Sequence, residues 1–359
     1  MTRIPTLDGW RGVAILLVML DHLARNGPLQ GQSWAQLGFF GVDIFFVISG
    51  YIITVRLIDE RQQSSTINLG RFYRRRAFRI LPLVVTYLGA LSVLSIFRNA
   101  DVSPSQVAGS LFFFRNYQVA ANVAGISTAH FWSLSIEEHF YLIWPLLLLS
   151  LGNRRALWFA LSGALSCALW RIYDCAHPNS VIGRLLPGSD PGLRILRTDL
   201  RIDGLLIGCA LALLMSRPAV HSFIHANFPK ETPLVCGALI FFRMHWTHEM
   251  PTLINYLLIA IAIASTLVVR EGLGYKWLNL RPLVWIGTIS FSIYVWQQIF
   301  LFNIPVLRPL GMLNVFPYSA LAALAVAAAS YYILERPMQR LEKCLERKQQ
   351  SESVGYVAV

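Results

Sequence analysis

Apolar runs of about 20 residues recur along almost the whole chain, and a run of that length is what a helix needs to cross the hydrocarbon core of a bilayer. About ten are readable, at roughly 10–26, 37–57, 80–97, 132–151, 156–173, 200–216, 233–248, 252–269, 281–302 and 317–334. Of 359 residues, 55% are hydrophobic and 14% charged, whereas about a quarter are charged in an ordinary soluble protein. This excludes a water-soluble globule, and the chain is far too apolar to be disordered. The expected fold is all-α: a polytopic transmembrane bundle of about ten spans, both termini cytoplasmic. Residues 1–340 form the expected membrane domain and 341–359 a short charged tail, with no soluble domain behind it.

The net charge of +12, from 31 Lys+Arg against 19 Asp+Glu, has a topological explanation. With the N-terminus inside, alternation places 58–79, 152–155, 217–232, 270–280 and the tail in the cytoplasm. Those segments hold most of the arginines and lysines outside the apolar runs. The outer ones hold fewer, chiefly Arg98, Arg115, Arg184, Arg194, Arg197 and Arg308. This is the positive-inside asymmetry, and it makes a nucleic-acid partner unnecessary. Residues 105–122, half apolar with Arg115 in the middle, are expected to lie in the interface or re-enter. Counting them as a span would put the basic 153–155 turn outside. The first run is read as a retained helix, because Asp21 and His22 follow it closely and no clean signal-peptide cleavage site does. Five cysteines, three of them in apolar runs, suggest no disulfide framework.

Ionisable side chains inside spans are costly and usually face a bundle interior or a water-filled cavity. Arg11 and His22 are eleven residues apart, about 16 Å along a helix and nearly on one face. Two readings stay open for them: a functional stripe, or a snorkelling arginine plus a satisfied histidine. In FWSLSIEEHFYLIWP, Ser133 and Glu137 share a face, while Glu138 and His139 point elsewhere. Asp43 either caps the second helix or serves a site. Arg201 and Asp203 read as an ion pair entering the sixth span. The basic segment RFYRRRAFRILP, read as an inner loop, is a lipid anchor or a phosphate clamp. His245 and His248-Glu249 are in the wrong order for a zinc protease, and no metal is expected.

Seven stretches, in order, resemble the acyltransferase-3 family of integral membrane O-acyltransferases: LDGWRGVAILLVMLDHL, FFGVDIFFVISGYIIT, RFYRRRAFRILP, FWSLSIEEHFYLIWP, RIDGLLIG, ISFSIYVWQQ and LERP. The similarity covers about residues 5–340. It implies transfer of an acyl group, commonly acetyl from acetyl-CoA, to a hydroxyl of an envelope or exported glycan. It also implies a catalytic set of His22, Arg11 and Glu137, and a CoA-phosphate site at Arg71, Arg74, Arg75 and Arg79. Asp43, Ser133 and Asp203 fall on motif positions that go with substrate binding. The expected place is the bacterial cytoplasmic (inner) membrane. The hydrolase-like domain that some members carry after the membrane part is not expected here.

These readings combine into one mechanism. Arginines on the cytoplasmic side hold acyl-CoA, whose pantetheine arm reaches the depth of His22. Neutral His22 has a pKa suited to a general base near pH 7, and an acyl-His22 intermediate is a variant of the same scheme. The rival is a non-enzymatic transporter or flippase for a lipid-linked glycan, which needs no CoA.

Overall fold

The computed structural model describes residues 3–26, 37–98, 102–123, 125–177, 188, 191–247, 253–302, 311 and 315–357, and every regular element among them is helical. Helices α1 (Pro5–Asn26), α2 (Leu37–Ser64) and α3 (Leu69–Arg98) are followed by the short α4 (Pro104–Leu111), α5 (Arg115–Ala120) and α6 (Ile126–Ala129). The long α7 (Phe131–Ala176) leads through α8 (Pro191–Arg194) to α9 (Asp203–Met215), α10 (Pro218–Asn227), α11 (Thr232–Thr247) and α12 (Leu253–Val268). The chain then forms α13 (Gly272–Leu278), α14 (Arg281–Thr288), α15 (Ser290–Leu301), α16 (Tyr318–Ser330), a π-helical turn (Tyr331–Glu335) and α17 (Arg336–Val357).

Four elements are long and apolar enough to cross a membrane, or up to seven if each bent pair of shorter helices is one span. The expected span 281–302 is such a pair: α14 and α15 meet at Ile289 with a 76° bend. Helix α7 is 46 residues long, about 70 Å and far more than one bilayer core. It is broken at Gly152, where φ is +68°, a conformation open to glycine because it has no Cβ. That break falls at the expected 152–155 turn. Along α7, Leu142, Ile143, Leu146, Trp158, Leu165, Leu169 and Ile172 stay exposed. So much uncovered apolar surface suits lipid, not water.

The segment 105–122 is covered by α4 and α5, of 8 and 6 residues, too short to cross a bilayer. Arg115 organises this cap, donating to the Gly125 carbonyl (3.0 Å), Thr128 Oγ1 (3.1 Å) and Gln118 Oε1 (3.2 Å). Burial pulls its pKa down to about 10, so it stays charged at neutral pH.

One expectation is overturned: RFYRRRAFRILP is not a loop but the first turns of α3. Asn68 Oδ1 accepts the Arg71 backbone N–H at 2.8 Å, the bond of an N-cap, and arginine is a good helix former. The consequence is periodicity. Around the helix axis the order is Arg74, Arg71, Arg75, Arg79 and Arg76, so the last two stand at one end of the arc and the first three at the other.

Close packing holds the elements that carry the buried charges. A Cβ on Gly50 would lie 2.0 Å from the Leu205 carbonyl oxygen, and one on Gly208 would lie 2.1 Å from that of Val47. The α2 and α9 backbones therefore touch as membrane helices do through small residues. Two apolar clusters form the core. The larger draws on α1, α2, α7, α9 and α12, and the smaller on α3, the start of α7 and α15, with Tyr294 packed against both.

Candidate active site

Two cavities open in the described part of the bundle. The basic cavity, about 90 Å³, is lined by Arg11 of α1, Arg56 of α2, Arg76 and Arg79 of α3, and Glu137 and Tyr141 of α7. Glu137 Oε2 accepts from Tyr141 Oη at 2.5 Å, Ser49 Oγ at 3.3 Å and Arg76 Nη2 at 3.4 Å. Arg76 Nε also donates to Glu138 Oε1 at 3.4 Å, and its guanidinium lies 3.4 Å from the Tyr141 ring centroid. Four lining guanidiniums against one lining carboxylate leave a cavity that suits a polyanion with phosphate groups.

The histidine cavity is wider, about 340 Å³, and takes in Asp21, His22, His130, Trp132, Gln297 and Gln298. The His22 ring lies edge-on to Phe302 at 4.6 Å between centroids. Val42, Ser133 and Tyr294 line both cavities and so form the wall between them. Across that wall Ser133 Oγ and Tyr294 Oη are 3.0 Å apart, and the Tyr294 hydroxyl donates to the His130 carbonyl.

The sequence-predicted residues divide between these places. Arg11 and His22 share α1 but open on different cavities, and Glu137 sits with Arg11 rather than with His22. Ser133 stands in the shared wall. Of the four arginines expected around CoA, only Arg79 lines the basic cavity. Arg71 pairs with Glu346 (3.3 Å) and Glu60 (3.8 Å), Arg74 with Glu342 (3.5 Å), and Arg75 with Glu346 (2.5 Å). These three bind the α17 helix instead. Arg56 and Arg76 were missed as site residues. Arg76 was legible as the i−3 neighbour of Arg79 once the segment is helical. Glu138 does not point away, since Arg76 bridges it to Glu137. His139 does, bonding Thr198 Oγ1 through Nδ1 at 2.7 Å.

Asp43 and Asp203 are placed differently from expectation. Arg201 and Asp203 do not pair with each other, because residues two apart at a helix start face different sides. Arg201 Nη2 reaches Asp43 Oδ1 at 2.8 Å, and Arg171 Nη2 reaches Asp203 Oδ2 at 2.7 Å. Asp43 lies inside α2, fully buried, so it is not the helix cap. The Arg201 guanidinium stands 5.5 Å from the Trp132 ring, behind the histidine-cavity wall. His248, Glu249, Arg184 and Arg308 lie outside the described residues. All five cysteines are unpaired.

Comparison with known proteins follows the same lines. The peptidoglycan O-acetyltransferase OatA of Listeria monocytogenes is 29% identical over 367 residues, covering 94% of this chain and 56% of the relative. YrhL of Bacillus subtilis, provisionally named for the same activity, is also 29% identical over 94% of this chain and 55% of its own length. The chain thus spans little more than half the length of these curated relatives. No solved structure matches significantly. A family model described as an acyltransferase domain matches residues 4–335, and the chain accordingly belongs to the acyltransferase-3 family.

Proposed function

We propose that this protein is a membrane O-acyltransferase that moves an acyl group, acetyl by the names of its relatives, from acyl-CoA to a hydroxyl of an envelope glycan. The observation that carries the reading is the pair of cavities meeting at Ser133 and Tyr294, one lined by four guanidiniums and the other by His22. Peptidoglycan is the acceptor named for the relatives, and the acceptor here is of that class.

The proposed topology supports this arrangement. Ten crossings are obtained when α1, the two halves of α7 and α11 are counted beside the other apolar elements. With the termini in the cytoplasm of a bacterial inner membrane, the starts of α1 and α3 face the CoA pool. Residues 1–340 then act as one membrane domain, with the remainder a cytoplasmic tail.

In the proposed reaction Arg11, Arg56, Arg76 and Arg79 hold the donor phosphates. Glu137 fixes Arg76 through the bonds described above, a positioning role. The thioester reaches the Ser133–Tyr294 wall, and the acceptor hydroxyl lies on the His22 side. His22 takes the hydroxyl proton as the oxygen attacks the thioester carbonyl. The new C–O bond forms, the C–S bond breaks, and the imidazolium returns the proton to the leaving CoA sulfur. Arg71, Arg74 and Arg75, engaged with α17, stand at the edge of this site rather than in it. Asp43 and Asp203 act through the ion pairs that hold α2, α7 and α9 behind the acceptor cavity.

The test compares envelope glycans from cells expressing wild type, His22→Ala and empty vector for base-labile O-acyl esters by mass spectrometry. An ester present with wild type and lost with His22→Ala, at equal membrane expression, is the expected result. An ester that persists in the mutant removes His22 from the chemistry.

A further inference from the structure

The cavity that holds His22 contains polar groups the rest of the protein leaves unused. Gln297 of α15 is fully buried, and neither its amide nitrogen nor its amide oxygen has a hydrogen-bond partner. Its neighbour Gln298 donates to the Ile126 carbonyl at 2.7 Å, while its amide oxygen has none. Both line the histidine cavity. Buried amides are nearly always satisfied, and replacing an unsatisfied one by a hydrocarbon of the same shape is neutral or stabilising. A leucine would therefore be the cheaper residue at 297, and the carboxamide calls for a partner that arrives from the cavity.

The lining defines that partner. Among the described residues no lysine or arginine lines this cavity, and Asp21 is its one carboxylate. An anionic ligand would lose its hydration without gaining a counter-charge. A carboxamide donates and accepts at once, which matches hydroxyl and acetamido groups. Phe39, Trp132 and Phe302 supply apolar faces for the carbon skeleton of a ring.

We propose that Gln297 is a specificity-determining residue, reading an uncharged sugar ring that carries hydroxyl and acetamido groups. This rests on the assignment of the histidine cavity to the acceptor. Gln298 contributes its free oxygen to the same ring, and uronic or phosphorylated sugars are turned away.

The full chain in lipid nanodiscs is titrated with chitotetraose, a neutral tetramer of N-acetylglucosamine, and with tetragalacturonate, an anionic tetramer. Acetyl-CoA binding and thermal unfolding are measured in parallel on wild type and Gln297→Leu. Wild type should bind chitotetraose at least about tenfold more tightly than tetragalacturonate. Gln297→Leu should weaken chitotetraose about three- to tenfold, leave acetyl-CoA binding unchanged, and not lower the melting temperature. Equal binding of the two tetramers, binding of neither, or wild-type chitotetraose affinity in Gln297→Leu overturns the proposal. So does a lowered melting temperature, which would mean that the amide serves the fold. Acetyl-CoA binding retained in those cases leaves the donor assignment standing. Its failure in wild type would instead remove the two-cavity reading.

Discussion

The basic cavity and the histidine cavity share a wall, yet Arg76 in the first and Gln297 in the second are in opposite states. In the basic cavity Arg76 is held by Glu137, Glu138 and the Tyr141 ring, and Glu137 is held in turn by Ser49 and Tyr141. Arg76 and Glu137 are thus fixed before any ligand arrives. In the histidine cavity Gln297 is left with both amide atoms open. A guanidinium half withdrawn from water is costly without a partner, and Arg76 has its partners in advance. A neutral amide can wait for its ligand at smaller cost.

The same contrast runs along α3. Arg76 and Arg79 face the cavity, whereas Arg71, Arg74 and Arg75, one to eight residues earlier, are engaged by Glu60, Glu342 and Glu346. A basic cluster that looks uniform in sequence thus has two tasks, divided by the helical turn.

The comparison can be broken most forcefully at His22. His22→Ala should cut ester formation by about a hundredfold or more, the scale of general-base loss. Acetyl-CoA binding should survive, because the donor groups lie in the other cavity, and isotope-labelled acetate in purified glycan measures the loss. Next comes the buried pair behind the acceptor wall. Arg201→Ala should destabilise the protein by about 3–5 kcal/mol, because Asp43 is left buried and uncompensated. Denaturation in mild detergent reads this, and Arg201→Ala combined with Asp43→Ala should recover part of the loss.

Smaller effects separate the two faces of α3. Arg79→Ala should weaken acetyl-CoA binding about ten- to a hundredfold, the worth of a charge-assisted phosphate contact, as measured by isothermal titration. Arg75→Ala should change that affinity by less than about threefold. Its half-exposed pair with Glu346 should contribute at most about 1 kcal/mol to stability. Equal losses for Arg75→Ala and Arg79→Ala would erase the distinction between the faces.

Much of this was legible in the chain, though unevenly. The apolar runs announced an all-helical protein, and Gly152 broke α7 where a short basic turn was expected. The family motifs marked His22, Arg11, Ser133, Glu137 and Arg79, all of which line the two cavities. Less legible was the pairing of charges. Arg201 looked bound to Asp203 because they are two residues apart, but it reaches Asp43 on a helix distant in sequence. Arg71, Arg74 and Arg75 were expected at the donor site, with Arg79, because the family resemblance pointed to this basic segment, and read as a loop it offered no faces by which to divide them. Arg56, an ionisable residue at the end of the run 37–57, and Gln297, inside the motif ISFSIYVWQQ, carried signals of their own but were not singled out.

What the sequence by itself determined is the class of structure and the stock of reactive groups. Apolar runs of bilayer length demand helices, and ionisable residues placed inside them demand an interior to face. What only the tertiary structure decided is which groups meet. Hydropathy acts along the chain, within one helix at a time. Ion pairs and cavity walls depend on how helices far apart in sequence approach one another, and that approach is set by contacts such as Gly50 against Leu205, which no local pattern records.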